Sequence, residues 1–163
     1  MRARSVIACL ATIAVADYVI LRHPPRWHAI ALFDHPAHVA TAVLLGGTDP
    51  VYLAGSLLPD LDHIPMALGD PKIGDPRPNT HSLLVVAAAA AINRKLAGGA
   101  AAHFARDLAL DPGVPLLWPL TKRRVRIPYV LYAAVVIAAA ARRADPGWAA
   151  RSAVKSARAT GSA

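Results

Sequence analysis

The run SVIACLATIAVADYVIL at residues 5–21 is the longest apolar stretch of the chain and dominates the choice of fold class. It has 17 residues, close to the roughly 20 that a helix needs to cross a bilayer. Arg2 and Arg4 precede it, and a basic start before an apolar run also fits a cleavable signal peptide. Because no small-residue cleavage site follows before Arg22, we interpret the run as a retained membrane anchor.

The next helix is expected to begin and end at residues that are common at helix termini. Residues 23–33 contain two prolines and are predicted to form a loop. Asp34 then suits the N-cap of a helix that has Pro36 in its first turn. The pair Gly46-Gly47 suits its end, because glycine readily adopts the backbone conformation that terminates a helix.

Three more helices are predicted downstream, and all of them are short or interrupted. One runs from Thr80 to about residue 93, one begins around Gly98-Gly99, and one covers residues 129–141. Residues 66–79 are rich in glycine and proline and are predicted to be loop. The pattern as a whole indicates an all-α, membrane-associated helical bundle in which the apolar helices are short or broken.

Composition supports a membrane protein. The chain is 55% hydrophobic and contains no glutamate, although glutamate is common on helix faces that contact water. The net charge of +8 fits basic flanks of membrane helices and contact with anionic lipid. Nucleic acid is a less suitable partner, since the basic stretches have few aromatic residues between them and adjoin apolar runs.

These features divide the chain into three parts. Residues 1–35 form an N-terminal apolar anchor and loop, and residues 36–141 form a helical domain. Residues 142–163 form a small-residue, basic tail that we expect to be disordered.

Histidine and aspartate recur beside the apolar segments, where ionisable groups are costly and invite a functional explanation. His103 and Asp107 are four residues apart, so they lie on one face of a helix. Two carboxylates and an imidazole follow another apolar run at a proline-bounded turn. The predicted metal ligands are His38, Asp60, Asp62, His63, His81, His103 and Asp107.

Each of these residues also has a simpler interpretation. A single histidine on an apolar face is more often a hydrogen-bonded core residue than a ligand. Asp60 would also serve as a helix cap, and Asp107 as a partner of Arg106 or Arg94. The remaining histidines, at positions 23, 28 and 35, lie in or beside the predicted loop and are left out of the site.

Seven ligands exceed the four of a tetrahedral zinc site, so we expect two metal ions bridged by a carboxylate. Mixed histidine and aspartate ligation suits zinc, with manganese and iron as alternatives, better than calcium or magnesium.

Five segments occur in an order that resembles a known family. They are AH (37–38), SLLPDLDH (56–63), THSLL (80–84), H-x-x-x-D (103–107) and GVPLLWPL (113–120) before a basic stretch. This order is similar to that of membrane-bound metal-dependent hydrolases, also described as LexA-binding, inner-membrane-associated hydrolases. The resemblance covers residues 36–130 and implies the same seven metal ligands. It also implies a multi-pass protein of the inner membrane, similar in turn to the zinc phospholipase C and P1-nuclease group.

One departure from that family concerns the site. The family usually has His-Arg-Gly three positions ahead of Thr-His-Ser. In this chain the corresponding segment is Pro76-Arg77-Pro78, so Pro76 stands where a histidine is expected. The loss of this histidine is compatible with one ion fewer, a water in its place, or a substitute from His35.

The resemblance implies hydrolysis of a phosphate ester, such as a phospholipid, by a water that two metal ions activate. Asp60 or Asp62 is expected to bridge the ions, and Asp62 is a candidate for orienting the nucleophile. Arg77 is the candidate for clamping a phosphate oxygen, and Thr80 for capping the helix that begins at His81. The alternative is a non-catalytic metal-binding membrane protein that binds a regulatory partner.

Overall fold

The fold is helical throughout the part of the chain that the structure describes. This computed structural model describes residues 1–25, 27–64, 80–110, 112–145 and 147, and only the backbone of residues 27, 28 and 62. Its elements are α1 (Ala3–Arg22), α2 (Trp27–Gly46), α3 (Pro50–Gly55), a 3₁₀ helix (Leu58–His63), α4 (Leu83–Ile92), α5 (Arg94–Asp107) and α6 (Tyr129–Ala144). The predicted all-α fold class is confirmed, whereas the predicted loop at 66–79 lies outside the described residues.

Helices α2 and α5 lie at the centre of the bundle. Helix α2 packs against α1, α5 and α6, and helix α5 also contacts α3 and α4. The core contains many alanines, including Ala16, Ala37 and Ala40, beside Leu44 and Val136. Small side chains let helix backbones approach closely, as in helix pairs within membranes. The close approach of α2 and α5 brings their polar side chains together.

Helix α2 is longer than the sequence predicted. It begins at Trp27, so the expected loop is shorter, and the predicted cap at Asp34 is wrong because this residue lies inside the helix. Pro36 is also inside the helix. A proline removes one hydrogen bond from a helix, and packing against α1 and α5 outweighs that local cost. The predicted end of the helix is confirmed, with Gly47 at a positive φ of 104°.

Helix α5 begins before the glycine pair that was expected to start it. Asn93 caps this helix through a 2.8 Å hydrogen bond from the backbone N–H of Lys95 to its side-chain oxygen. The predicted start at Gly98-Gly99 is therefore wrong, and both glycines lie inside the helix. The end of α4 near residue 93 is confirmed.

The glycines of α5 allow it to touch α3 backbone to backbone. A Cβ atom added at Gly99 would lie 1.9 Å from the Tyr52 carbonyl oxygen and 2.7 Å from the Ser56 backbone nitrogen. One added at Gly55 would lie 2.1 Å from the Leu96 carbonyl oxygen. These contacts fix the distance between the two helices and place Ser56 beside the next turn of α5.

We expect Gly99→Ala to destabilise the protein strongly, because a backbone cannot move aside as a flexible side chain can. Overpacking of this kind costs about 1–3 kcal/mol or more. Gly98→Ala is the matched control, since its Cβ would meet only the ring of Tyr52, at 3.1 Å. Thermal unfolding in detergent micelles measures both variants, and equal melting temperatures would contradict the proposed backbone contact.

Candidate metal centre

The structure brings together the six predicted metal ligands whose side chains it describes. They come from four places in the chain: α2 (His38), the 3₁₀ helix (Asp60, His63), the residues before α4 (His81) and α5 (His103, Asp107). Asp62 lies in the same 3₁₀ helix, but its side chain is outside the described residues, as is the whole of Arg77. The six residues supply three groups of three ligand atoms that lie within 4.8 Å of one another, and a fourth such group adds Asp34 to His38 and Asp107.

Local helical geometry positions several of these side chains. His103 and Asp107 are one turn apart on α5, with Nε2 of the histidine 3.0 Å from Oδ2 of the aspartate. His81 precedes α4, whose N-cap is Ser82, so the predicted cap at Thr80 is wrong. Instead, the Thr80 hydroxyl donates a 2.6 Å hydrogen bond to the Pro59 carbonyl oxygen. This bond ties the segment that carries His81 to the 3₁₀ helix that carries Asp60.

Both carboxylate oxygens of Asp60 lie near histidine nitrogens. Its Oδ1 lies 3.3 Å from Nδ1 of His63, 3.5 Å from Nε2 of His81 and 3.6 Å from Nε2 of His103. Its Oδ2 lies 3.2 Å from Nε2 of His35. Burial raises the pKa of this carboxyl, but hydrogen bonds from His35, His63 and His81 outweigh burial and hold the pKa well below its usual range. Asp60 is therefore an anion at neutral pH.

The two carboxylate oxygens of Asp107 lie near different histidines. Oδ1 lies 3.4 Å from Nε2 of His38, whereas Oδ2 lies 3.3 Å from Nε2 of His81 and 3.0 Å from Nε2 of His103. The sequence led us to expect a bridging carboxylate at Asp60 or Asp62. Asp107, like Asp60, places its two oxygens against different histidines, and the bridging role of Asp60 or Asp62 stays a prediction.

The sequence reasoning missed two residues that contact the cluster, Asp34 and His35. Asp34 Oδ2 lies 3.5 Å from Nε2 of His38, and His35 contacts Asp60 as described above. Asp34 was interpreted as a cap and His35 as a loop residue. The signal that would have found Asp34 is its spacing of four from His38, the same spacing as that of His103 and Asp107.

The tautomer of His103 leaves a lone pair directed at carboxylates. Its Nδ1 lies 2.8 Å from the Ser56 carbonyl oxygen, and because a carbonyl only accepts, Nδ1 must carry the hydrogen. Burial, followed by the nearby charge of His38, lowers the pKa of His103, which favours the neutral ring. In that ring, Nε2 is an acceptor 3.0 Å from Oδ2 of Asp107. In a neutral ring, these two acceptors would repel each other unless a cation lies between or beside them.

The spacing of the ligand atoms fits metal coordination. Nitrogen-to-oxygen distances across the cluster are 3.0–3.6 Å. For zinc bonds of 2.0–2.1 Å, the edge of a tetrahedron of ligands is about 3.3–3.4 Å. The rings of His38 and His103 are stacked 3.7 Å apart, so charging both by protonation would be unfavourable. The donor set and its spacing therefore fit a metal centre.

Two of the four ligand groups share no residue. One consists of Asp34, His38 and Asp107, and the other of Asp60, His63 and His81. His103 lies between them, 3.0 Å from Asp107 and 3.6 Å from Asp60. The described residues thus offer several overlapping groups of ligand atoms that could hold a metal ion.

Negative charge exceeds positive charge in and around this cluster. Several of the side chains that supply ring nitrogens and carboxylates are almost entirely buried, among them His38, His103 and Asp107. Next to them, the guanidinium of Arg106 lies buried between Asp17 and Asp34. Burying unpaired charge is costly, and divalent cations would compensate the surplus of carboxylates.

Comparison with known proteins places this chain in a family. The profile of the YdjM inner membrane protein family matches residues 9–160, nearly the whole chain. The chain belongs to the YdjM inner membrane protein family. No curated protein and no solved structure matches it. Membership in the YdjM family makes this chain an inner-membrane protein, in agreement with the predicted location.

In the part of this YdjM family member that the structure describes, two helices are long and apolar enough to cross a membrane. They are α1 and the Ala29–Gly46 part of α2. Only 22% of the α1 window and 39% of the α2 window are buried inside the protein. The exposed side chains of α1 include Ile7, Val15 and Leu21, which leaves an apolar surface for lipid.

Proposed function

We propose that this protein is a membrane-bound, metal-dependent hydrolase of phosphate esters, and that its His/Asp cluster holds two divalent ions, with zinc the best fit. The observation that carries the proposal is the His103 tautomer, whose Nε2 lone pair faces Asp107 at 3.0 Å in a fully buried position. A histidine that donates Nδ1–H to a backbone carbonyl and offers Nε2 to an ion is a common arrangement of metal ligands.

In this proposal the ligands divide into two groups. Asp34 and His38 would hold one ion, and Asp60, His63 and His81 would hold the other. Asp107 would contact both through its two oxygens, and His103 would complete either group. The Ser56 carbonyl keeps the His103 ring in the orientation that ligation needs.

When bound, a pair of divalent ions lowers the pKa of water towards neutrality and neutralises the charge of a phosphate group. The chain contributes the buried surroundings in which such charges interact strongly. Asp62 is proposed to orient the attacking water and Arg77 to clamp a phosphate oxygen, since a guanidinium pairs with two oxygens at once. Both roles rest on the sequence and on the resemblance that it bears to metal-dependent hydrolases.

The inner-membrane location favours a substrate that reaches the protein from the bilayer. A phospholipid or another membrane-borne phosphate ester meets that condition. The protein is proposed to be multi-pass, with α1 and α2 as its first two spans.

We expect protein purified without chelator to contain zinc or manganese and to hydrolyse a bis-aryl phosphate. The paired substitution Asp62→Ala, His63→Ala should remove activity and the ion held by Asp60, His63 and His81, because it removes a ligand of that ion and the residue proposed to orient the water. Elemental analysis and release of the aryl alcohol measure the two effects. His23→Ala is the control, since His23 is exposed and lies outside the cluster. Wild-type protein without bound metal would overturn the proposal.

A second candidate is a non-catalytic metal protein that binds a regulatory partner. Pro76 supports it, because this residue stands where related hydrolases have a histidine. The same experiment separates the two candidates, since metal without hydrolysis of bis-aryl phosphates or phospholipids favours the non-catalytic protein.

A further inference from the structure

A buried ionic network connects the metal centre to the membrane anchor. Arg106 of α5 is fully buried. Its Nε donates a 3.2 Å hydrogen bond to Oδ1 of Asp34, and its Nη2 lies 3.0 Å from the same oxygen. Its Nη1 pairs with Oδ1 of Asp17 on α1. Tyr129, at the start of α6, donates a 2.6 Å hydrogen bond to Oδ2 of Asp17.

This network leaves one oxygen of Asp34 for the metal centre. Oδ1 is occupied by Arg106, whereas Oδ2 lies 3.5 Å from Nε2 of His38. The His38 nitrogen lies 3.4 Å from Oδ1 of Asp107 on its other side. The ligand atoms of Asp34, His38 and Asp107 lie within 4.8 Å of one another, and Arg106 holds the carboxylate of Asp34 in this group.

The second carboxylate of the network, Asp17, affects the charge that Asp34 presents to an ion. If Arg106 contacted Asp34 alone, its positive charge would cancel the negative charge of Asp34 and reduce the attraction of Asp34 for a cation. Asp17 is 3% exposed and pairs with the same guanidinium. Because Asp17 neutralises Arg106, the charge of Asp34 remains available to an ion.

We infer that Asp34 is a ligand of one of the two ions, and that Asp17 and Arg106 are positioning residues that set the affinity of that ion. The inference rests on the proposed metal centre but not on its catalytic activity. It assigns to α1 a role in the site besides anchoring, because removing a charge from α1 changes metal binding through Arg106.

The test is a Co²⁺ titration of the full-length protein in detergent micelles, followed by visible absorption and by elemental analysis. Wild-type protein should bind two ions, and Asp34→Asn should bind one. Asp17→Asn should still bind two, with the second about 10–100-fold weaker, the usual effect of losing an outer partner of a ligand. Asp145→Asn, which removes an exposed carboxylate, should match the wild type.

Two more variants keep the test decisive if a charge change impairs folding. Tyr129→Phe removes one hydrogen bond to Asp17 without changing any charge and should weaken the same ion by less. Asp17→Asn combined with Arg106→Gln removes both outer charges and should bind the second ion more tightly than Asp17→Asn alone. Two ions at wild-type affinity in Asp34→Asn would overturn the inference and leave the proposed function standing. Wild-type protein without metal would overturn both.

Discussion

Replacing Asp107 by asparagine is expected to weaken the binding of both ions by more than about 100-fold, beyond the 10–100-fold effect of losing an outer partner. The reason is its orientation, with Oδ1 towards His38 and Oδ2 towards His81 and His103. An amide keeps the shape but loses the charge and offers only one oxygen. Co²⁺ absorption and elemental analysis measure the loss, and hydrolysis of a bis-aryl phosphate should fall with it.

The matched comparison is Asp34→Asn, which removes a carboxylate from one ligand group only. Asp107→Asn should therefore lose two ions where Asp34→Asn loses one. If Asp107→Asn retained one ion at wild-type affinity, Asp107 would belong to a single group and the bridge would have to be another carboxylate. Far-UV circular dichroism of both variants shows whether the helices persist.

The sequence predicted which residues lie together in the cluster better than how they are arranged within it. His103 and Asp107 were recognised because a spacing of four places both on one helix face, and the structure has them 3.0 Å apart. The same spacing joins Asp34 to His38. It was missed because an aspartate two residues before a proline is also typical of a helix start, and local patterns cannot tell a cap from a ligand.

The partners of Arg106 could not have been predicted from spacing. Asp17 is 89 residues away in the chain and Asp34 is 72 residues away. Contacts of that range depend on how α1, α2 and α5 pack, which no periodicity encodes. The sequence did offer one hint, namely a single aspartate inside the apolar run 5–21, where an unpaired charge would be costly.

Helix ends that depend on local residues were predicted, whereas helix starts that depend on tertiary packing were not. The end of α2 at Gly46 and the end of α4 before Asn93 were predicted because glycine and asparagine act locally. The starts of α2 and α5 were wrong because packing extends these helices past Pro36 and around Gly98-Gly99. Close packing of α5 on α3 needs Gly99 inside the helix, so the role of this glycine is contact rather than termination.

Arg106→Met is expected to destabilise the protein by about 3–5 kcal/mol, the usual cost of removing one partner from a buried ion pair. Methionine fills similar volume, but it leaves the carboxylates of Asp17 and Asp34 without their shared cation. Unfolding should be measured in micelles with a chelator present, so that loss of metal does not contribute to the difference.

The double variant Asp17→Leu, Arg106→Met tests whether the cost comes from unpaired charge. Removing Asp17 as well eliminates one of the two orphaned carboxylates, so the double variant should be more stable than Arg106→Met alone. The difference between the double variant and the sum of the single variants gives the coupling of the pair. Additive effects would contradict the buried ion pair. So would a loss of unfolding free energy below about 1 kcal/mol for Arg106→Met, since ion pairs that contact water contribute that little. Strong coupling would instead mean that the anchor helix and the metal centre are stabilised by the same buried charges.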